Sequence, residues 1–334
     1  MITEAIERLE KGEDLDFELV EAIFDSMLDG SVDEKNMADF LVLLSDKGET
    51  AEEIAAAVSS LKKHADSLDV GIDLLDTCGT GGDGKNTFNI STASAVVCSL
   101  FVPVAKHGNK AISSKSGSAD VLEACHIPIN LKRDEAKEFL KKHNFVFLFA
   151  PNYHPSMKYV APVRRKLARR TIFNLIGPLA NPFNVNRQLV GVFSKDFLTK
   201  IFDATYRLGM KNMAVVSSLD GMDEISPSAP TKCYIRRENV EETFVLDPKE
   251  LGVNADLDDI LGFSAERNAQ IMAEIFEGKH EKLRDTIALN AGFALFVAGV
   301  TDDIEGGFKM AREAIESGRV LEKFESLRKS NGSA

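Results

Sequence analysis

Apolar residues in the first 66 positions recur at helical spacing. Phe17, Val20, Ile23, Phe24, Met27 and Leu28 form one stripe that stops at Gly30, a natural helix end. Ser31-x-x-Glu34 reads as a capping box ahead of a second stripe, Met37, Phe40, Leu41 and Leu44, which closes near Gly48. Thr50-x-x-Glu53 repeats that signal before Ile54, Val58 and Leu61. Three short helices cannot bury both faces among themselves. The pattern therefore predicts that they pack on the rest of the chain or on another subunit.

Beyond Asp69 the period changes. Short apolar runs at Ile72–Leu75, Val102–Ala105, Phe145–Phe149, Leu189–Phe193 and Met213–Ser217 alternate with helical patterns. Such alternation predicts an α/β domain with a mostly parallel central sheet covered by helices. A basic segment from Met157 to Asn181 reads as helix and turn, and two further helices are expected near Leu283–Ala298 and Ile304–Leu327. No internal repeat or low-complexity tract interrupts the chain.

Charge narrows the function. The 334 residues carry a net charge of −12, which argues against a nucleic-acid or membrane surface, because neither polyanion attracts an acidic body. Cys78, Cys98, Cys125 and Cys233 are widely spaced without zinc-site partners, so reduced, packed thiols are expected. The N-terminus is an acidic amphipathic segment rather than a signal peptide. The longest apolar stretch, roughly 93–105, is too short to span a bilayer. A cytoplasmic protein is the expectation.

Against that acidic background, no Asp or Glu occurs from Gly84 to Ala119. At the chain's average of 52 acids in 334 residues, that window would hold about five or six. It contains Lys85, Lys106, Lys110 and Lys115 instead, and follows four glycines between Gly79 and Gly84. Glycine-rich backbone with lysines and no acids makes a pocket suited to phosphate. Gly79-x-Gly81-x-x-Gly84 matches the dinucleotide fingerprint, yet the ribose-binding acid expected about 20 residues on is missing. Gly79-x4-Gly84-Lys85 approaches a P-loop, but Asn86 stands where a magnesium-binding hydroxyl belongs. What remains is a strand feeding a glycine turn, then a helix opening near Asn89–Thr92 whose N–H groups can grip an anion. The loop from Lys106 to Ser118 supplies a second donor set, which suggests a ligand with more than one phosphate. Asp223 and Glu224, just past a strand candidate, suit a hydrated magnesium ion that bridges to such a ligand.

Gly-Thr-Gly-Gly-Asp (79–83), Thr87-Phe-Asn-Ile-Ser-Thr92, Lys106-His-Gly-Asn109, Ser116-Gly-Ser-Ala-Asp-Val-Leu-Glu123, Arg170-Thr-Ile-Phe-Asn-Leu-Ile-Gly-Pro-Leu-Ala-Asn-Pro182 and Asp223-Glu224 follow one another in register. Together they closely resemble the anthranilate phosphoribosyltransferase family over nearly the whole chain. The resemblance implies a small helical domain, residues 1–66 joined by part of 152–178, and a larger α/β domain, residues 67–151 and 179–334. It also implies a homodimer paired through the small domain. The implied reaction transfers a 5-phosphoribosyl group from phosphoribosyl pyrophosphate (PRPP) to the amine of anthranilate, in tryptophan biosynthesis.

The same resemblance assigns roles. Gly79, Gly82 and Asp83 would border pyrophosphate and ribose, and Thr87, Asn89, Ile90, Ser91 and Thr92 would face phosphates. Lys106, His107, Gly108, Asn109, Lys110, Ala111, Ile112, Ser113, Ser114 and Ser118 would hold the other end of the sugar phosphate. Ser91, Asp223 and Glu224 would bind magnesium. Arg164 would pair with the anthranilate carboxylate, Gly79 and Asn109 would touch the aromatic substrate, and His107 and His154 would shape its channel. Three departures stand out: Ala168 where relatives usually have glycine, Cys125-His126 in place of a common Leu-Gly, and Lys110 for a frequent arginine, which keeps the charge but loses a bidentate fork. The rival readings are a pyrimidine nucleoside phosphorylase, which needs no acidic metal pair, and a non-catalytic nucleic-acid-binding relative, which would need a basic face.

Overall fold

In the computed structural model, which describes residues 1–111, 115–238 and 240–330, four helices open the chain: α1 (Ile2–Glu10), α2 (Phe17–Leu28), α3 (Glu34–Lys47) and α4 (Ala51–Lys63). The acidic amphipathic start is thus a helix of its own. The expected cap at Ser31 lies two residues further on. Asp33 accepts from the N–H groups of Lys35 and Asn36, and a carboxylate at that position completes the cap without Ser31. The Thr50–Glu53 capping box forms as the spacing predicts.

The chain then enters β1 (Leu75–Gly79), α5 (Ile90–Cys98), β2 (Val104–Gly108), α6 (Ser118–Ala124), α7 (Arg133–His143) and β3 (Phe145–Phe149). Short helices α8 (Ala150–Tyr153), α9 (Met157–Leu167) and α10 (Phe173–Ile176) lead to β4 (Arg187–Gly191), α11 (Leu198–Arg207) and β5 (Asn212–Ser218). Strands β6 (Thr231–Arg237) and β7 (Val240–Leu246) precede α12 (Ala265–Phe276), α13 (Glu281–Val297), α14 (Ile304–Glu316) and α15 (Arg319–Lys329).

One seven-stranded sheet has the order β3-β2-β1-β4-β5-β6-β7. The first five strands run parallel, and β6 and β7 are antiparallel. Along β5 the faces alternate: Ala214 and Val216 join the core under α5, α12, α13 and α14, whereas Met213 and Val215 join the core of the N-terminal helices. From Met213 to Val216 both faces of β5 are therefore apolar, as a strand covered on both sides requires. The N-terminal helices do find their partner within the chain. Val160 and Val163 of α9, Phe173 of α10, and Ile201 and Phe202 of α11 complete their core.

Three expected segments shift. β1 begins where the run Ile72–Leu75 ends, and Ile72 is exposed, because the tight pairing Leu75↔Arg187 to Gly79↔Gly191 carries the strand into the glycine turn. β2 and β4 move two residues, forward and backward respectively, for the same reason of register with β1. The helix expected over Ile304–Leu327 is two helices, broken at Gly318, whose φ of 79° an α-helix cannot accommodate.

Helices α13 and α14 cross through glycines. A Cβ on Gly292 would lie 2.3 Å from the Phe308 backbone nitrogen, and one on Gly307 would lie 2.2 Å from the Gly292 carbonyl oxygen. Alanine normally improves a helix interior by ~1 kcal/mol over glycine. Here backbone meets backbone, so Gly292→Ala is expected to destabilise the fold by about 1–3 kcal/mol in urea unfolding. A stabilised variant would mean that the two helices separate freely.

Candidate active site

Strand order reverses around β1, whose neighbours are β2 and β4. The carboxyl ends on that side form the crevice where open parallel sheets place their ligands. Each strand there delivers part of one site. β1 ends in the glycine turn, β2 in the loop beginning at Asn109, and β5 leads to Asp223 and Glu224.

The acidic loop lies directly on the strand ends. Gly79 pairs with Gly191 in register. A Cβ on Gly191 would fall 1.6 Å from the Asp223 carbonyl oxygen, and one on Gly79 would fall 2.3 Å from Asp223 Oδ2. No side chain fits at either position. In this seat Asp223 Oδ2 accepts from the Gly81 N–H at 2.6 Å, and Glu224 Oε1 accepts from the Ser91 N–H at 3.2 Å. The two acids therefore clamp the glycine turn and the start of α5. Thr77, Ser91, Gly191, Asp223, Glu224 and Asn290 line a small shared hollow.

The electrostatics are adverse without a cation. Burial and the neighbouring Asp83 push the Asp223 carboxyl up to about 7, and burial with Asp223 beside it raises Glu224 well above its ordinary range. Among the described residues, Glu224 Oε2 and Asp83 Oδ2 are buried without a hydrogen-bond partner. Hard oxygen donors crowded to mutual repulsion suit a divalent cation. Among the described residues, no three His, Cys, Asp or Glu side chains form a metal cage. Magnesium typically takes one or two carboxylates and completes its shell with water and substrate oxygens.

Around this centre stand the predicted phosphate contacts. Thr92 is buried with its hydroxyl unpartnered among the described residues. Ile90, Ser91 and Thr92 form the first turn of α5, a helix end that favours an anion, although the Ile90 and Ser91 N–H groups here donate to the Phe88 carbonyl and to Glu224. Thr87 sits on an isolated bridge to Leu261. Lys106 is fully enclosed, its Nζ donating to the Thr77 carbonyl at 2.5 Å and reaching Ser91 Oγ at 3.4 Å. It thus stiffens the β1–β2 junction rather than standing free. Gly108 is fixed by Ser118, whose Oγ donates to the Asn109 carbonyl and lies 2.2 Å from where a Cβ would be. The Ala111 N–H donates to Asp120. Lys110 turns outward to Glu123 at 2.9 Å, so its charge is engaged elsewhere. The expected contacts Ile112, Ser113 and Ser114 lie outside the described residues.

The His107 and His154 rings lie against each other, centroids 5.2 Å apart and tilted by 53°. Burial first, then the neighbouring ring, depresses His107 to about 3, and burial depresses His154 to about 4. Both are neutral at pH 7. Among the described residues, His107 Nε2 and both ring nitrogens of His154 lack a well-formed hydrogen bond. Arg164 is half-buried over the Phe173 ring at 5.3 Å, with no ion pair among the described residues, and burial alone lowers its pKa. Ala168, which stands where relatives usually have glycine, adopts the left-handed conformation at φ 49° as the C-cap of α9.

Several structural supports escaped the sequence reading. Gly191 looks like any strand-end glycine until Asp223 is placed on it. Asp76, fully buried in β1, accepts from His107 N–H, Asn181 and Gln188, and burial raises its pKa. Arg170 lies over the Phe193 ring at 3.7 Å and donates to the Gly82 carbonyl. The polar residues Asp76, Asn181 and Gln188 inside apolar runs were the available signal.

The helical layer and the sheet define the class. Residues 3–65 match the glycosyl transferase family helical bundle domain, and residues 71–321 match the glycosyl transferase family a/b domain. Within that class the chain belongs to the anthranilate phosphoribosyltransferase family. It is 44% identical to the anthranilate phosphoribosyltransferase of Caldicellulosiruptor saccharolyticus over 98% of each chain. Its fold is similar to the Thermus thermophilus anthranilate phosphoribosyltransferase, with a TM-score of 0.92 and 36% identity over 98% of this chain and 99% of that one. The Saccharomyces cerevisiae enzyme in complex with PRPP and Mg is similar at a TM-score of 0.89 and 27% identity, covering 100% of this chain and 98% of that one.

The raised Asp223 carboxyl has a definite linkage sign. The folded chain retains this proton up to about pH 7, whereas an unfolded aspartate releases it near ~3.9. Where the folded state binds more protons, stability falls as pH rises, so Asp223 weakens the fold across that interval. In EDTA, Asp223→Asn is expected to gain on the order of 1 kcal/mol over the parent at pH 7.5 and little at pH 4. Urea midpoints measured at both pH values check this, and a pH-independent difference would contradict it.

Proposed function

We propose that this chain transfers the 5-phosphoribosyl group of PRPP to the amine of anthranilate, giving N-(5-phosphoribosyl)anthranilate and pyrophosphate, in L-tryptophan biosynthesis. The observation that carries this reading is the seating of Asp223 and Glu224 on the Gly79–Gly191 pair, where they tie the glycine turn to the first turn of α5. This arrangement collects donors for several phosphates and acids for their counter-cation in one crevice.

Ser91, Asp223 and Glu224 would hold magnesium, which when bound neutralises charge on departing pyrophosphate. The first turn of α5 and the Thr92 hydroxyl bind phosphate oxygens, and Lys106 adds a fixed positive charge beside Ser91. Asp83, with one oxygen unpartnered, favours the cation-like sugar carbon. The anthranilate amine is neutral at pH 7 and needs no base to attack. Arg164 orients the acceptor through its carboxylate, supplying alignment rather than proton transfer. Gly79 and Asn109 flank the acceptor, and the neutral His107–His154 pair walls its channel. With its pKa depressed to about 3, His107 is neutral at pH 7, and the proton lost by the product amine ends in bulk solvent.

Residues 1–66 with part of 152–178 form the unit we assign to dimer pairing, as a cytoplasmic homodimer. Among the described residues, no helix is long and apolar enough to cross a membrane. Sedimentation should give the mass of two chains, and a concentration-independent monomer would remove the pairing.

Purified protein mixed with anthranilate, PRPP and magnesium should extinguish anthranilate fluorescence only when all three are present. Pyrophosphate release with a different acceptor, and none with anthranilate, would overturn the acceptor assignment. Arg164→Ala is expected to raise the anthranilate KM by roughly tenfold or more while changing the PRPP KM little, because it removes one charge-assisted pair. An unchanged anthranilate KM would strip Arg164 of its role.

A further inference from the structure

Asn89 caps the start of α5, but its side chain does not bond the helix. Its amide belongs to a chain of hydrogen bonds that begins on α12. The Phe263 N–H donates to Asn268 Oδ1 at 2.8 Å, Asn268 Nδ2 donates to Asn89 Oδ1 at 2.9 Å, and Asn89 Nδ2 donates to the Ser116 carbonyl at 3.1 Å. Asn268 itself is buried, while Asn89 and Ser116 are half-buried at the edge of the crevice.

The segment at the head of this chain is itself attached to both donor loops. The Phe88 N–H donates to the Ile260 carbonyl and the Gly262 N–H to the Asn86 carbonyl, both at 2.8 Å. A Cβ on Gly262 would come within 2.5 Å of the Thr87 carbonyl oxygen, so the two strands of backbone lie in contact. Lys115 Nζ donates to the Gly262 carbonyl at 3.3 Å and stands 5.8 Å from the Phe263 ring centroid. Asn268 therefore joins three stretches that are far apart in sequence: 86–89, 115–116 and 260–263.

We propose that Asn268 is a positioning residue for the phosphoribosyl donor, acting through the side-chain amide of Asn89. An asparagine amide has one acceptor end and one donor end. With its Oδ1 held by Asn268, Asn89 presents only its N–H2 end toward the second donor loop, the polarity that an anionic ligand requires. Nothing in this role touches the acceptor, so the effect is confined to the donor. The proposal rests on the reading of this crevice as a PRPP site.

Asn268→Asp is the discriminating variant. Once ionised, an aspartate keeps the size and still accepts from the Phe263 N–H, but it has no hydrogen to give Asn89 and repels its Oδ1. The variant is therefore assayed at high pH, where the buried carboxyl is charged. The PRPP KM is expected to rise about tenfold, with the anthranilate KM within about twofold; the buried carboxylate also lowers the melting temperature, so both KM values are read well below it. The PRPP-induced thermal shift should shrink in parallel. In an Asn89→Ala background the same substitution should have almost no further effect on the PRPP KM, because the amide it orients is gone. Equal losses in both backgrounds, or matched rises in both KM values, would make Asn268 a structural residue only and overturn the proposal. Wild-type protein that gives no thermal shift with PRPP would overturn the donor site itself, and this proposal with it. Wild-type and Asn268→Asp proteins that shift alike would leave the donor site standing and reject the role of Asn268.

Discussion

The crevice depends on a close approach of backbone. Two parallel strands end side by side in glycine, and the turn carrying Asp223 rests on them at distances that no Cβ would permit. Given that contact, the rest of the site is positioned by chain connectivity. β1 can pass into a turn whose N–H groups face the acid, α5 starts where Glu224 receives its first free N–H, and β5 needs only a short loop to bring the acids back. A larger residue at position 191 would lift the acidic loop off the sheet and separate the carboxylates from the phosphate-gripping turn at one stroke. This explains why the geometry lies at the reversal of strand order, the one place where neighbouring connections diverge and leave room.

The same packing places carboxylates where charge is poorly solvated. Asp76, Asp223 and Glu224 all have raised pKa values for this reason. Asp76 is accommodated by three N–H donors within the sheet and so contributes to architecture. Glu224 and Asp83 keep an oxygen without a donor, so their repulsion stays unresolved until a cation enters. Fold stability and ion binding are therefore opposed at this point. The large apolar cores on both faces of the sheet supply the stability that lets the opposition persist.

Much of this was readable in the sequence, because helical stripes, alternating β runs and a missing-acid window are local or additive signals. The Thr50–Glu53 cap, the run Phe145–Phe149 and the start of α5 at Asn89 fall where periodicity puts them. What failed was non-local. Ser31 lost the cap to Asp33 within the same turn, and β1 slid forward because its register is set by β4, more than a hundred residues away in the chain. The antiparallel pair β6–β7 went unseen because its alternation, with Glu241 and Glu242 at a sheet edge, resembles an exposed loop. In the site, the motif residues were legible as donors and acids. Their supports were not: Gly191 and Asn268 acquire meaning only through partners distant in sequence.

The N-terminal helices share a core with α9, α10, α11 and the outer positions of β4 and β5. During synthesis, a chain that has released only its first hundred residues has made those helices without the surface that completes their packing. Their apolar stripes stay partly open until residue 215 or so has emerged. The helical layer comes first in the sequence yet waits for residues near 215 to be sealed, so the nascent chain carries an adhesive segment through more than half of its elongation.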